Sequence, residues 1–169
     1  MTGSTITGTL EDSGRTLVLR RTCWVTAERL WSALTDAAEL GQWFGTWAGD
    51  PEQGTVAVTM NAEPGDAAPQ DFVIHRCRPG EALTVSSETG LGTWRLTLLL
   101  VTSEDGTALE FRHEDLDRSQ LAQIGPGWEW YLDRLAAVLA GTPLPGIAEF
   151  EAAFGPQGAA YAALLTDVS

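Results

Sequence analysis

Trp94-Arg95-Leu96-Thr97-Leu98-Leu99-Leu100, the pair Asp105-Gly106, and Leu109-Glu110-Phe111-Arg112-His113-Glu114 form the stretch whose reading decides the fold. In the first segment Trp94, Leu96, Leu98 and Leu100 share one face, the period-two pattern of a half-buried strand. Asp-Gly is a strong hairpin turn signal. In the second segment Leu109, Phe111 and His113 alternate with charged residues. A long helical pattern follows, from about Ser119 to Ala140. Within it Leu121, Ile124, Trp128, Leu132, Leu135 and Leu139 recur every three or four residues. Pro126-Gly127 predicts a kink, with the firm helix running from Gly127. Gly141 and Pro143 end it.

The same reading extends towards the N-terminus. A short strand over 6–10 pairs across Asp12-Ser13-Gly14 with a strand over 15–23. Thr26 and Asp36 are N-cap residues, giving two short helices over 27–34 and 37–43. Residues 55–60, 71–78 and 83–87 read as strands, with a Pro- and Gly-containing loop over 63–69. Each connection is too short for a parallel crossover, so the sheet is antiparallel. In 71–78 the inward face is open: it is Phe72, Ile74 and Arg76, or Val73, His75 and Cys77. The chain reads as one α+β domain over 1–141. An extension over 142–169 follows, with short helices near 146–154 and 157–166 docked on the same body. Phe150, Phe154, Tyr161, Leu164 and Leu165 in that extension need burial.

Bulk properties exclude whole classes of function. The 169 residues suit one core, and the net charge of −13 comes with ten Arg and no Lys. Phosphate backbones and anionic lipid surfaces are repelled, which argues against nucleic-acid and membrane partners. No apolar run approaches the roughly 18 residues of a membrane helix. The N-terminal residues do not read as a secretory signal, so a cytoplasmic setting is expected. Cys23 and Cys77 form neither a metal set nor a disulfide framework, and both read as small buried hydrophobes.

Motifs of known chemistry are missing. Glu114-Asp115-Leu116-Asp117 lacks the spaced oxygens and Gly of a calcium loop, and His113-Glu114 lacks the second His of a zinc motif. Gly90-Leu91-Gly92 lacks the third Gly of a dinucleotide site. A Cys–His pair, Cys77 with His75 or His113, has no supporting motif. No cofactor or metal is expected.

Arg21, then Ala27-Glu28-Arg29-Leu30-Trp31-Ser32-Ala33-Leu34-Thr35-Asp36, then Leu40 and Trp43, resembles the opening signature of the family related to the activator of Hsp90 ATPase. Thr107-Ala108-Leu109-Glu110-Phe111-Arg112-His113 and Gly127-Trp128 with Leu132 and Leu135 match its closing pieces. The resemblance covers about residues 15–140. It implies the helix-grip fold of the START and Bet v 1 superfamily (SRPBCC), a curved antiparallel sheet wrapped around a long C-terminal helix with a cavity between them. Relatives bind lipids, hormones or polyketides, and a few are cyclases.

On that frame seven tryptophans must be placed. Trp31 and Trp43 read as helix-to-sheet packing, Trp94 and Trp128 as cavity lining, and Trp24 and Trp130 as outer-face residues. Trp47, in Gly45-Thr46-Trp47-Ala48-Gly49, reads as a flexible aromatic gating an entrance. The expected ligand-binding set is Trp47, Phe72, Trp94, Phe111, His113, Trp128 and Leu132; His113 reads either as a structural imidazole paired with the backbone or a water, or as the polar anchor of the cavity. The function expected is binding of a small apolar ligand without chemistry. The alternatives are a protein-interaction module of the chaperone-regulator type, by family resemblance alone, and a cyclase or hydrolase using the same cavity. A homodimer through the tail or an edge strand stays open.

Overall fold

The computed structural model describes residues 5–62, 68–90 and 92–167. Eight strands form one antiparallel sheet: β1 (Gly8–Glu11), β2 (Thr16–Cys23), β3 (Gly45–Ala48), β4 (Thr55–Met60), β5 (Gln70–Arg78), β6 (Ala82–Thr89), β7 (Gly92–Ser103) and β8 (Gly106–Glu114). Their spatial order is β1-β2-β8-β7-β6-β5-β4-β3. The long helix α3 (Leu121–Ala140) lies across the concave face. This is the helix-grip architecture. The expected loop at 63–69 falls mostly outside the described residues.

Alternation sets the inward face. Along β8, Thr107, Leu109, Phe111 and His113 are each no more than 4% exposed. The outward side carries Arg20, Arg112, Glu11 and Glu110 in ion pairs across the strands and, for Arg112 with Glu110, along β8. At the β7–β8 turn a side chain on Gly106, at φ 140°, would strike the Cys23 carbonyl. Only Gly allows both that backbone and that approach.

Helices α1 (Ala27–Thr35) and α2 (Ala37–Leu40) are capped by Thr26 and Asp36, whose side chains accept from Arg29 N–H and from Ala38 and Glu39 N–H. The second helix was expected to reach residue 43. It ends at Leu40, because turn bonds from Gln42 to Glu39 and Trp43 to Leu40 swing Trp43 and Phe44 into the core.

Pro126, where a kink is expected, does not end the helix: Leu121–Ala140 is continuous, entered through a 3₁₀ turn at Arg118–Gln120. A residue before proline is normally pushed out of the helical region by its Cβ, and Gly125 has none. The missing Cβ also lets the Tyr161 ring lie directly on the helix.

The extension folds into α4 (Phe150–Ala153) and α5 (Gln157–Leu164), each adjoined by a 3₁₀ turn. It corrects the placement of Trp130. That indole is 2% exposed, edge-on to Phe150, with Nε1 donating to the Gly146 carbonyl and Arg134 over its ring. The outer face of α3 is thus interior, and Trp24 stays 74% exposed.

Candidate functional site

An apolar cavity of about 240 Å³ lies between the sheet and the three helices. Leu83 and Val85 of β6, Leu96 and Leu98 of β7 and Phe111 of β8 form its floor. Trp128 and Leu132 of α3 cover it. Trp31, Trp43, Phe44 and Trp47 wall one side.

The open question in 71–78 is answered by a β-bulge. The β5–β6 register runs Ile74 to Val85 and then jumps to Arg76 opposite Thr84. The residue left over is His75. Before it Phe72 and Ile74 point into the cavity, and after it Cys77 does, so each proposed face is inward over half of the strand. His75 bonds Ser86 Oγ at 2.7 Å instead. Cys77 was expected to be buried. It is an exposed thiol on the cavity wall, whereas Cys23 is buried.

Four polar groups of the wall are committed to the protein. Trp43 Nε1 donates to the Ala33 carbonyl at 2.9 Å and Trp47 Nε1 to the Thr35 carbonyl at 2.8 Å. Trp128 Nε1 donates to His113 Nδ1 at 3.0 Å, and the Thr35 hydroxyl to the Trp31 carbonyl at 2.7 Å. Among the described residues, Cys77 is the one titratable side chain on the wall. The arrangement can hold an apolar body and offers it no proton-transfer pair. Trp47 is no loose gate, since it sits in edge strand β3 with its indole anchored.

Of the expected ligand set, Trp47, Phe72, Phe111, Trp128 and Leu132 come together on this wall. Trp94 and His113 do not. They line a second cleft of about 330 Å³ with Asp115, Asp117 and Ile124. His113 is 1% exposed, and burial pushes its pKa down to about 4, so the ring is neutral at physiological pH. Neither imidazole is bonded to Cys77, and the described residues contain no group of His, Cys, Asp and Glu able to hold a metal ion.

The sequence reading passed over a second buried constellation, on the far side of α3. Glu129, 2% exposed, accepts from Thr7 N–H and Oγ1, Arg21 and the Tyr161 hydroxyl. Arg21 also pairs with Asp133 at 2.7 Å. Burial pushes the Glu129 carboxyl up, but the bonds from Thr7, Tyr161 and Arg21 outweigh it and hold the pKa below the ordinary value. The signal for this cluster was an acid between two tryptophans in an apolar helix. Trp31 and Trp43, expected as helix-to-sheet packing, both pack against the core and line the cavity, and Phe44 does the same.

Residues 25–140 match the family described as activator of Hsp90 ATPase homolog 1-like protein. The crystal structure of CalU16 from Micromonospora echinospora is 27% identical, with TM-score 0.74, covering 95% of this chain and 96% of that one. Its solution structure is 26% identical, with TM-score 0.76 and 99% of both chains covered, so the likeness runs past Gly141. The BPP1335 protein from Bordetella parapertussis, 19% identical with TM-score 0.72 over 94% of each chain, shares the fold. No curated protein is a significant match. No helix among the described residues is long and apolar enough to cross a membrane.

Proposed function

We propose that this chain, which belongs to the activator of Hsp90 ATPase homolog 1-like family, is a binding domain for a small apolar molecule seated beneath α3. One observation carries the reading: a cavity of about 240 Å³ whose three anchored indoles and one hydroxyl spend their hydrogen bonds on the protein. An apolar void of roughly 150 Å³ suffices for benzene, so this one has room for a two-ring hydrocarbon. Binding is driven by apolar area removed from water, and Trp47, Phe72, Phe111, Trp128 and Leu132 supply the contact. A ligand hydroxyl buried against Trp43, Trp47 or Trp128 meets an indole N–H that is already committed, at a cost of about 1–3 kcal/mol. The same logic disfavours the cyclase or hydrolase reading. We place the protein in a reducing cytoplasm, where the exposed thiol of Cys77 persists unpaired.

Titration with naphthalene and with 1-naphthol, followed by tryptophan fluorescence, tests the proposal. Naphthalene binds saturably, naphthol binds about tenfold more weakly, and Val85→Phe, which fills the void, abolishes both. Absence of a saturable naphthalene signal, or undiminished binding by the filled variant, overturns it.

A second reading, a protein-interaction module, draws on the family description and on Trp24, an aromatic 74% exposed. It predicts that purified chain captures an Hsp90-type chaperone and that Trp24→Ala loses the capture.

A further inference from the structure

Trp128 separates two different spaces. One side of its ring covers the apolar cavity, and its Nε1 reaches His113, which lines the second cleft. An indole N–H can only donate, so His113 Nδ1 is the unprotonated nitrogen. The neutral ring therefore carries its proton on Nε2. That N–H has no hydrogen-bond partner among the described residues, and Nε2 is not among the atoms sealed from solvent. The imidazole is otherwise 99% enclosed, 1% being exposed, so its one free donor opens into the cleft it lines.

The rest of the wall defines what can meet this donor. Trp94 stands with its ring centroid 5.0 Å from that of His113, and Ile124 adds an aliphatic surface. Among the described residues that line the cleft, the charged side chains are Asp115 and Asp117, and no basic side chain is part of the lining. The carboxylate of Asp115 is 73% exposed, and its nearest cation, Arg15, is 3.9 Å away, so it retains acceptor capacity. Asp117 is occupied by Ser119 and Gln120. An anion is repelled by the two carboxylates, whereas a neutral carbonyl is not.

We propose that this cleft is a second binding site, for a small planar carboxamide. Its carbonyl oxygen accepts from His113 Nε2–H, its flat body rests against Trp94, and its N–H group donates to Asp115. The site is distinct in chemistry from the apolar cavity and does not depend on a ligand being bound there.

The test uses benzamide and benzoate, which share a ring and differ in the group presented. The readout is the His113 imidazole signals in nitrogen-edited NMR of the full chain. Benzamide shifts them saturably, and benzoate binds at least about tenfold more weakly. Asp115→Asn removes the repelling charge at an exposed position whose backbone, at φ 52°, suits Asn. In that variant benzoate gains and the preference for benzamide narrows about tenfold, while naphthalene titration of the apolar cavity is unchanged. A cleft that holds water only gives no saturable His113 shift with benzamide, and that result overturns the proposal. Equal affinity for the two probes in the parent chain overturns it too.

Discussion

Glu129→Ala removes one carboxylate and strands every donor gathered on it. In the intact protein Oε1 accepts from Thr7 Oγ1 at 2.6 Å and Arg21 Nη2 at 2.7 Å. Oε2 accepts from Thr7 N–H at 2.6 Å and the Tyr161 hydroxyl at 2.7 Å. Breaking a buried ion pair from one side costs about 3–5 kcal/mol. Arg21 keeps Asp133 and lowers the figure. Tyr161, 0% exposed, keeps the Gly8 N–H on its oxygen but loses the acceptor for its O–H, which raises the figure by about 1–3 kcal/mol. A loss of about 4 kcal/mol is expected. In a chain of this size each kcal/mol moves Tm by about 2–4 °C, so Tm falls by about 12 °C. Asp133→Ala is the internal control: Asp133 is 45% exposed on its side of the pair, and its loss costs less than about 1 kcal/mol. The assay is thermal unfolding by circular dichroism with urea unfolding in parallel. Because the Glu129 pKa is depressed, its contribution is present above the unfolded value, near about 4.3, and lost as pH falls through the folded one. The acid limb of the parent is therefore steeper than that of the variant. A Glu129→Ala protein melting within about 2 °C of the parent, or an equal loss in Asp133→Ala, refutes the argument.

His113 gives a second pH dependence. Its pKa is about 4 in the folded chain and near 6.5 when unfolded, so acid protonates the unfolded chain first. Stability is complete above about pH 6.5 and falls by about 3 kcal/mol on the way to pH 4, then levels. Urea midpoints across that range measure it, and His113→Leu should flatten the slope. Gly125→Ala puts a Cβ before Pro126, which disfavours the helical backbone there, and drives a methyl into the Tyr161 ring, an overpacking of about 1–3 kcal/mol. The expected result is a lower Tm and faster proteolytic cutting after Gly141; a stabilised variant would show that α5 does not pack this way.

The sequence by itself determined whatever depends on local periodicity and short-range chemistry. Alternation in β7 and β8 fixed their inward faces, Thr26 and Asp36 fixed the helix starts, and the apolar stripe of α3 identified the helix the sheet must grip. These signals repeat every two residues or every three to four, so a single chain suffices to read them. Tertiary structure alone decided the rest. One extra residue at His75 reverses the face of β5, and no pattern of side chains reveals where a strand takes up an unpaired residue. Trp130 looks solvent-facing until a segment 16 or more residues further on folds over it. His113 points inward as its alternation requires. The Trp128 ring then divides the interior and leaves that imidazole outside the apolar cavity, in a cleft of its own. Facing inward is a property of one strand, whereas sharing a cavity depends on which distant side chains stand between.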